Sequence, residues 1–500
     1  VIDLSNLDFS RSKFNLFAHQ KEGVKFLIKN RFAALLDEMG AAKTLQIIYT
    51  ACLLYEDKQI DTVLIMCPAQ VKPVWTHPQY SQIIEHSFVS GVIHEFRSRS
   101  TAIPSKDRGL TWIVTSVELL RNPDHVKTLL SLLKDRNFWA VVDESSTISN
   151  PRASQTRGVQ KVGLKAKRRT ILNGTPIGNS PLNLYSQFEF LDPMILGFKN
   201  YFAFRNRHAL MGGYMNKQVV GFHDLESIQE KIKPFALRRL KADCLDILPK
   251  MRAPLIEVKL SESTWARYKQ MREEMVAYLE NHDSASTVTT APVKALRLAQ
   301  ICSGFLGGIE SEDSAETATY EIGSELTDAF LSHLETRLNI DENFKLIVWC
   351  RFRPEIARLQ TLVKAKFSNM TVKVLQGGMS KGDRNEATSL FHPDAPELSG
   401  PALLIGQPQS GRFGLNFTGC SNVDYLSNDY SFLTRSQSED RIHRPGQRFQ
   451  ALFQDYVVVG PNRERTVSGI ILKALKTHEE VATWTCSKWV AELTQESDDL

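Results

Sequence analysis

Asp37-Glu38-Met39-Gly40-Ala41-Ala42-Lys43-Thr44 follows the apolar run Ala33-Ala34-Leu35-Leu36 and leads into a segment carrying Leu45, Ile47 and Ile48. That order reads as strand, loop, helix. A loop so placed turns backbone N–H groups toward an anion at a helix N-terminus, where the helix dipole favours negative charge. Lys43 is then placed to reach β- and γ-phosphates, and the Thr44 hydroxyl to hold magnesium. The strict phosphate-loop pattern breaks at Ala42, where glycine normally keeps a Cβ away from the phosphate. By itself the stretch fits either a nucleotide loop (Gly40, Ala41, Ala42, Lys43, Thr44) or an ordinary helix start.

Outward from this stretch the chain alternates in character. Thr62–Cys67, Trp112–Thr115, Phe138–Val142 and Thr170–Leu172 are short apolar runs, the form of buried parallel strands, with helical segments between them. The rhythm breaks after residue 180 and resumes at Lys345–Trp349, then at Thr371–Leu375, Ala402–Ile405, Val423–Leu426 and Asp455–Val459. The expected class is α/β, with parallel sheets covered on both faces. The expected organisation is a first lobe over 1–250 with a helical insertion at about 180–240. A second lobe follows over 251–500, with a helical insertion at about 261–335 and a core at about 341–480. Asn281–Thr290 and Ser311–Thr319 are polar and read as loops, and the acidic end Glu496–Leu500 as disordered.

Composition sets the outer bounds. The 500 residues exceed one ordinary core, and 42% hydrophobic with 23% charged residues is the balance of a globular protein. The net charge of +5 is compatible with a polyanionic partner without requiring one. Cys52, Cys67, Cys244, Cys302, Cys350, Cys420 and Cys486 form no C-x-x-C half-site, so scattered thiols in a reducing compartment are expected rather than zinc or disulfides. The start shows no secretory pattern, and no apolar run is long enough for a membrane span. A cytoplasmic setting without membrane partners follows as an expectation.

Two further constellations bear on chemistry. Val141-Val142 ends in Asp143-Glu144, about a hundred residues beyond the Lys-Thr loop and in the same lobe. Adjacent carboxylates at the end of a buried strand are costly unless they meet a cation or solvent. Asp143 suits magnesium, and Glu144 suits orienting and deprotonating an attacking water. A solvated acidic turn is the plainer reading of these two residues alone. In the second lobe, Gln437-Ser438-Glu439-Asp440-Arg441-Ile442-His443-Arg444 places Arg441 and Arg444 three apart, on one face if helical. Two guanidinium groups donated to a γ-phosphate complete a phosphoryl-transfer site, though a basic helix end has the same pattern.

Taken together, these constellations resemble motifs I, II and VI of Swi/Snf-type superfamily-two helicase-like ATPases. Other motifs match in order along nearly the whole chain. Leu16–Gln20 is similar to the adenine-reading element, Cys67-Pro68 with Trp75 to motif Ia, and Val114-Thr115-Ser116 to motif Ib. Leu172–Ile177 resembles motif III, Phe235–Arg239 through Leu248–Lys250 the segment closing the first lobe, and Leu296–Cys302 an insertion helix. Ile347–Trp349 with Arg351 resembles motif IV, and Ser410–Asn416 motif V. Details around Asp143–Ser146 and Phe190–Met194 look most like bacteriophage and prophage members.

The resemblance implies two RecA-like lobes and an ATP-dependent DNA translocase that uses ATP and Mg2+ and moves along double-stranded DNA. ATP is then held by Gln20, Lys43 and Thr44, with Gly414 and Asn416 assisting. Glu144, Asp143, Lys43, Arg441, Arg444 and Gln437 are the implied catalytic set, and Thr44 with Asp143 the metal donors. Pro68, Thr115, Ser116, Trp349, Arg351 and Gly411 are the implied DNA contacts, gripping phosphates without reading sequence. The basic run from Lys161 to Arg169 adds either electrostatic grip or a solvated helix face. A strand-separating or annealing helicase, and a weakly active ATP-gated scaffold, are the alternatives. The sequence departs from the family at Ala42, at Ser146 and Ser149, and at Arg412-Phe413 in motif V. Ala42 predicts reduced but not absent ATP turnover.

Overall fold

In the computed structural model the chain divides into two compact units. One comprises Val1–Leu210 and Gly221–Asp246, the other Met211–Val220 and Ile247–Leu500. The structure describes residues 2–477 except 12, 14, 79–80, 101, 178–179, 213–217, 246, 282–294, 312–313, 396–399 and 412–414. The expected Asn281–Thr290 loop beyond its first residue, and the acidic end, lie outside the described residues.

The first unit is built on β1 (Phe32–Leu35), β2 (Thr62–Cys67), β3 (Gly91–Glu95), β4 (Leu110–Ser116), β5 (Phe138–Asp143) and β6 (Arg168–Leu172). A short two-stranded sheet, β7 (Ala209–Gly212) and β8 (Gln218–Phe222), whose Met211–Val220 portion belongs to the other unit, precedes β9 (Ala236–Leu237) of the first unit. The sheet runs β3-β4-β2-β5-β6-β1-β9, with every pairing parallel. β2 and β4 are buried at every position. That explains their unbroken apolar runs, since a sheet covered by helices on both faces has no wet side. The parallel register brings the C-terminal ends of the strands to one edge: Met66 of β2 pairs with Thr115 of β4 and Val142 of β5. The loops after β1, β2, β4, β5 and β6 therefore share that edge, where ligands meet open α/β sheets. The same edge carries Lys43 at the start of the helix after β1, Pro68, Ser116 at the end of β4, Glu144 and Asn173.

The second unit opens with β10 (Met251–Arg252) and β11 (Ile256–Lys259), and carries an inserted hairpin of β12 (Phe305–Ser311) and β13 (Ser314–Glu321). Its core strands are β14 (Lys345–Trp349), β15 (Thr371–Leu375), β16 (Ala402–Gly406), β17 (Asn422–Tyr425) and β18 (Leu452–Val459). They run β18-β17-β14-β16-β15, and β10 and β11 both pair with β18. Successive residues of one strand serve opposite faces. Leu346 and Val348 join a large cluster with Leu403, Ile405 and the helix residues Phe330, Ile356 and Ile470. Ile347 and Trp349 join another with Leu404, Phe417 and Ile442.

The expected α/β class with two parallel sheets is what the structure shows. The insertions are less purely helical than expected. Each holds a two-stranded sheet, and most of Ser311–Thr319, read as loop, pairs as β13 with β12. The threonines there have the β-propensity that the charge content hid.

Candidate active site

The loop after β1 is held from several directions. Lys43 opens the helix Lys43–Glu56, and its ammonium donates to the backbone carbonyls of Asp37 (2.7 Å) and Glu38 (3.2 Å). The carbonyl of Ala41 accepts from Gln46 Nε2 at 3.2 Å and lies 3.3 Å from His19 Nε2. Ala42 is the N-cap of that helix and sits in the left-handed region, φ 52 and ψ 48. Thus glycine is missing where both the phosphate and the backbone dihedral favour it. Gly174, in the loop after β6, packs so closely that a Cβ would lie 2.4 Å from Met39 Cγ and 3.0 Å from the Met39 nitrogen. Gln20 is buried, and its Oε1 accepts the Phe17 N–H at 3.0 Å.

Asp143 ends β5 on the same edge. Its Oδ1 accepts the Glu144 N–H at 3.0 Å and its Oδ2 the indole N–H of Trp75 at 3.0 Å. Burial, then the neighbouring Glu144 charge, push its pKa up to about 6, while the charge of Lys43 pulls the other way. Lys43 is therefore within electrostatic reach of Asp143. Glu144 is also left-handed, φ 53 and ψ 58, a conformation costing a non-glycine residue about 1–3 kcal/mol and concentrated at functional sites. Its Oε2 is buried with no hydrogen-bond partner among the described residues.

A half-buried carboxylate whose ionised form is disfavoured favours a cation, and a carboxylate with a hydroxyl is a hard-oxygen donor set that fits magnesium. Thr44 and Asp143 are the residues that would hold it, and when bound it would neutralise phosphate charge. Among the described residues no cluster of three or more His, Cys, Asp or Glu could hold a metal alone.

Sequence reasoning passed over the residues that brace this edge. Asp37 is fully buried, and Arg239 grips it in bidentate fashion, Nε to Oδ1 at 2.9 Å and Nη2 to Oδ2 at 2.5 Å. Arg239 also donates to the His19 carbonyl and to Gln46 Oε1. It follows β9, whose Leu237 carbonyl accepts the Leu36 N–H. Gln187, buried in the helix Leu184–Leu191, accepts from Ser145 Oγ (2.6 Å) and Asn173 Nδ2 (3.2 Å), joining the loops after β5 and β6. The paired Arg238-Arg239 was the signal for the first brace; nothing in sequence marked Gln187.

In the second unit the helix Phe432–Glu439 ends with Asp440 as its C-cap. Arg441 and Arg444 therefore lie beyond the helix in a turn, not on a helical face. They remain neighbours: burial, and after it the Arg441 charge, push Arg444 down to about 10. Gln437 is fully buried in the helix. Arg435, a residue the motif reading left aside, anchors that helix. It pairs with Asp455 (2.6 and 2.9 Å) and Glu439 (2.8 Å), with its guanidinium 3.4 Å from the Tyr425 ring centroid. Asn416 Oδ1 accepts from Thr418 Oγ1 at 3.1 Å; Gly414 lies outside the described residues. Gly411 ends a short 3-10 turn from Pro408.

Several residues expected to touch nucleic acid are inside the fold. Trp349 is fully buried, its ring 6.3 Å from that of Phe417. Thr115 is fully buried and Pro68 is buried. Their strands are central, so these side chains serve the core and the exposed positions are their neighbours, Ala69 and Gln70 after Pro68. Ser116 is 8% exposed, its Oγ accepting the Leu119 N–H. Arg351 is half-buried over the Tyr430 ring at 3.9 Å. The basic run divides too. Arg168 donates to the carbonyls of Leu27, Ile28 and Asn30, and Arg169 to that of Phe190, both from buried positions. Lys161, Lys165 and Lys167 are exposed.

A family model described as SNF2-related domain matches residues 19–304. The chain is 26% identical over 506 residues to TATA-binding protein-associated factor MOT1 of Saccharomyces cerevisiae, covering 87% of this chain and 26% of that protein. It is 26% identical over 455 residues to an uncharacterized ATP-dependent helicase, MG018, of Mycoplasma genitalium, covering 90% and 40%. Protein CHROMATIN REMODELING 24 of Arabidopsis thaliana is 23% identical over 526 residues, covering 93% and 47%. The chain thus spans under half the length of each of these relatives. Among solved structures, a Sulfolobus solfataricus SWI2/SNF2 ATPase core in complex with dsDNA is similar at 21% identity and a TM-score of 0.43, covering 98% of this chain and 99% of that one. No helix among the described residues is long and apolar enough to cross a membrane.

Proposed function

Because this chain belongs to the SNF2-related family of helicase-like ATPases, we propose that it hydrolyses ATP to translocate along double-stranded DNA. The observation that carries the reading is the shared edge of the first sheet: the Lys43 loop after β1 and the Asp143-Glu144 pair after β5, within electrostatic reach of each other. Lys43 binds the triphosphate, with its ammonium now parked on two loop carbonyls. Glu144 takes a proton from water at its unpartnered Oε2. Thr44 and Asp143 hold magnesium. In the second unit Arg441 and Arg444, on a turn next to the helix anchored by the buried Arg435, are guanidinium groups suited to phosphate charge. In the first unit the DNA contacts are the exposed Ala69 and Gln70 beside Pro68; in the second unit they are Arg351 and Gly411. The likeness to bacteriophage and prophage members rests on motif residues alone, as the relatives above come from yeast, a mycoplasma and a plant.

The test is steady-state ATPase activity with duplex DNA, single-stranded DNA and RNA supplied separately. Duplex DNA is expected to stimulate most. Glu144→Gln is expected to lower turnover by about 10²–10⁴-fold while nucleotide still binds. Displacement of a triplex strand with the duplex left intact distinguishes translocation from strand separation. Hydrolysis stimulated by none of the three nucleic acids would overturn the proposal.

A further inference from the structure

We propose that Trp75 is a positioning residue that joins the loop after β2, on the nucleic-acid side, to the magnesium-holding carboxylate of Asp143. The inference rests on the function proposed above and deepens it. Trp75 is fully buried, and its indole N–H meets Asp143 Oδ2 at 3.0 Å. The other oxygen is fixed by the Glu144 N–H at 3.0 Å. Both oxygens of the carboxylate are thus aimed, one by its own backbone and one by an element from a different loop. β2 and β5 are neighbouring strands, so the element leaving β2 lies beside the end of β5, and the indole spans the short gap.

That element behaves as one stiff piece. Val71 N–H closes a turn onto the Pro68 carbonyl at 2.8 Å, and the helix Lys72–Thr76 follows with Pro73 in its first turn. Lys72 is paired with Glu95 at the end of β3 (2.5 Å), and Ala69 N–H with Glu118 (3.2 Å). Its tip, Ala69-Gln70, is exposed, while its far end, Trp75, is buried on Asp143. A phosphate backbone pressing on the tip displaces the piece as a unit, and the displacement arrives at the carboxylate. A carboxylate donor aimed by an outer hydrogen bond binds its metal better than one left to rotate. Nucleic acid on one side of the sheet edge thereby sets how well magnesium and triphosphate are held on the other.

The experiment uses the full chain and Trp75→Phe, which keeps an aromatic ring but removes the N–H donor together with part of the indole's buried volume. Two quantities are read: the magnesium concentration giving half-maximal binding of a fluorescent, non-hydrolysable ATP analogue, and the fold-stimulation of ATPase by duplex DNA. The variant is expected to need about tenfold more magnesium, to bind the analogue as wild type does without magnesium, and to lose most of its DNA stimulation. Excess magnesium is expected to restore kcat without DNA, which a purely structural defect would not permit. An unchanged magnesium requirement with unchanged stimulation overturns the inference. If wild type hydrolyses ATP but ignores DNA, the function proposed above fails, and the magnesium requirement still decides the role of Trp75. Should Trp75→Phe not fold, 3-benzothienylalanine at position 75 keeps the indole shape without its N–H, and the same two readouts apply.

Discussion

Ala42→Gly separates two physical effects at one residue. Ala42 caps the helix that starts at Lys43, with φ 52 and ψ 48. An L-residue in this region places its Cβ too near the following carbonyl, at a cost of roughly 1–2 kcal/mol. Glycine removes that cost but adds about 0.4–1 kcal/mol of unfolded-chain entropy. Ala42 is exposed, so losing its methyl forfeits no core contact. The net expectation is a stabilisation of about 0.5–1 kcal/mol, or a rise in unfolding temperature of roughly 1–4 °C for a unit of this size. This strain is present with or without ATP, so it does not by itself change turnover. The second effect is the Cβ facing an incoming phosphate, which acts only on the bound state. If the methyl holds the phosphate off by about 1 kcal/mol, glycine raises kcat/KM about fivefold. Calorimetry of the nucleotide-free protein reads the first effect, and steady-state ATPase assays read the second. An unfolding temperature that stays level or falls refutes the strain argument. Equal ATPase rates in the two proteins refute the idea that Ala42 slows turnover.

Other consequences can be checked in the same way. Arg239→Ala leaves the buried Asp37 carboxylate unpaired and is expected to cost about 3–5 kcal/mol; adding Asp37→Asn should recover much of it in a double-mutant cycle by denaturant titration. Gly174→Ala forces the Met39 backbone and side chain away and is expected to lower ATPase activity more than it lowers the unfolding temperature. Glu355 is pushed up to about 7 by burial, from an ordinary 4.5, so between those pH values the folded chain holds a proton the unfolded chain lacks. Its stability contribution is full below about pH 4.5 and is lost as pH rises through 7. Glu355→Gln should therefore gain on wild type between pH 4 and pH 8 by on the order of 3 kcal/mol, read as unfolding midpoints at the two pH values. Neutralising the exposed Lys161, Lys165 and Lys167 should weaken duplex binding and flatten its salt dependence; an unchanged salt slope removes them from the DNA path.

Much of the fold was legible because its signals are local. Runs such as Val63–Cys67 and Phe138–Val142 are apolar throughout, as a doubly covered strand requires, and both appear in central strands. β3 was missed because Gly91-Val92-Ile93-His94-Glu95 lies at the sheet's edge and mixes polar with apolar residues. β9 was missed because two residues carry no period. Among the proposed site residues, Lys43, Asp143 and Glu144 stood out by type and spacing, since phosphate chemistry limits what can serve there. Trp349 and Thr115 could not be separated from surface contacts, because a motif position does not say which way a side chain points. Arg168 and Arg169 read as surface charge until their guanidinium groups were seen capping carbonyls inside the fold.

The amino-acid order alone determined that strands alternate with helices in two similar lobes, and which residue types were available to hold a triphosphate. These depend on periodicity and on neighbours in the chain. Folding decided what depends on distant segments meeting: the bond from Trp75 to Asp143 across adjacent strand ends, the grip of Arg239 on Asp37, the left-handed turn at Ala42, and the sorting of arginines between core and surface. Hydrogen-bond geometry and burial are properties of approach in space, and no spacing along the chain contains them.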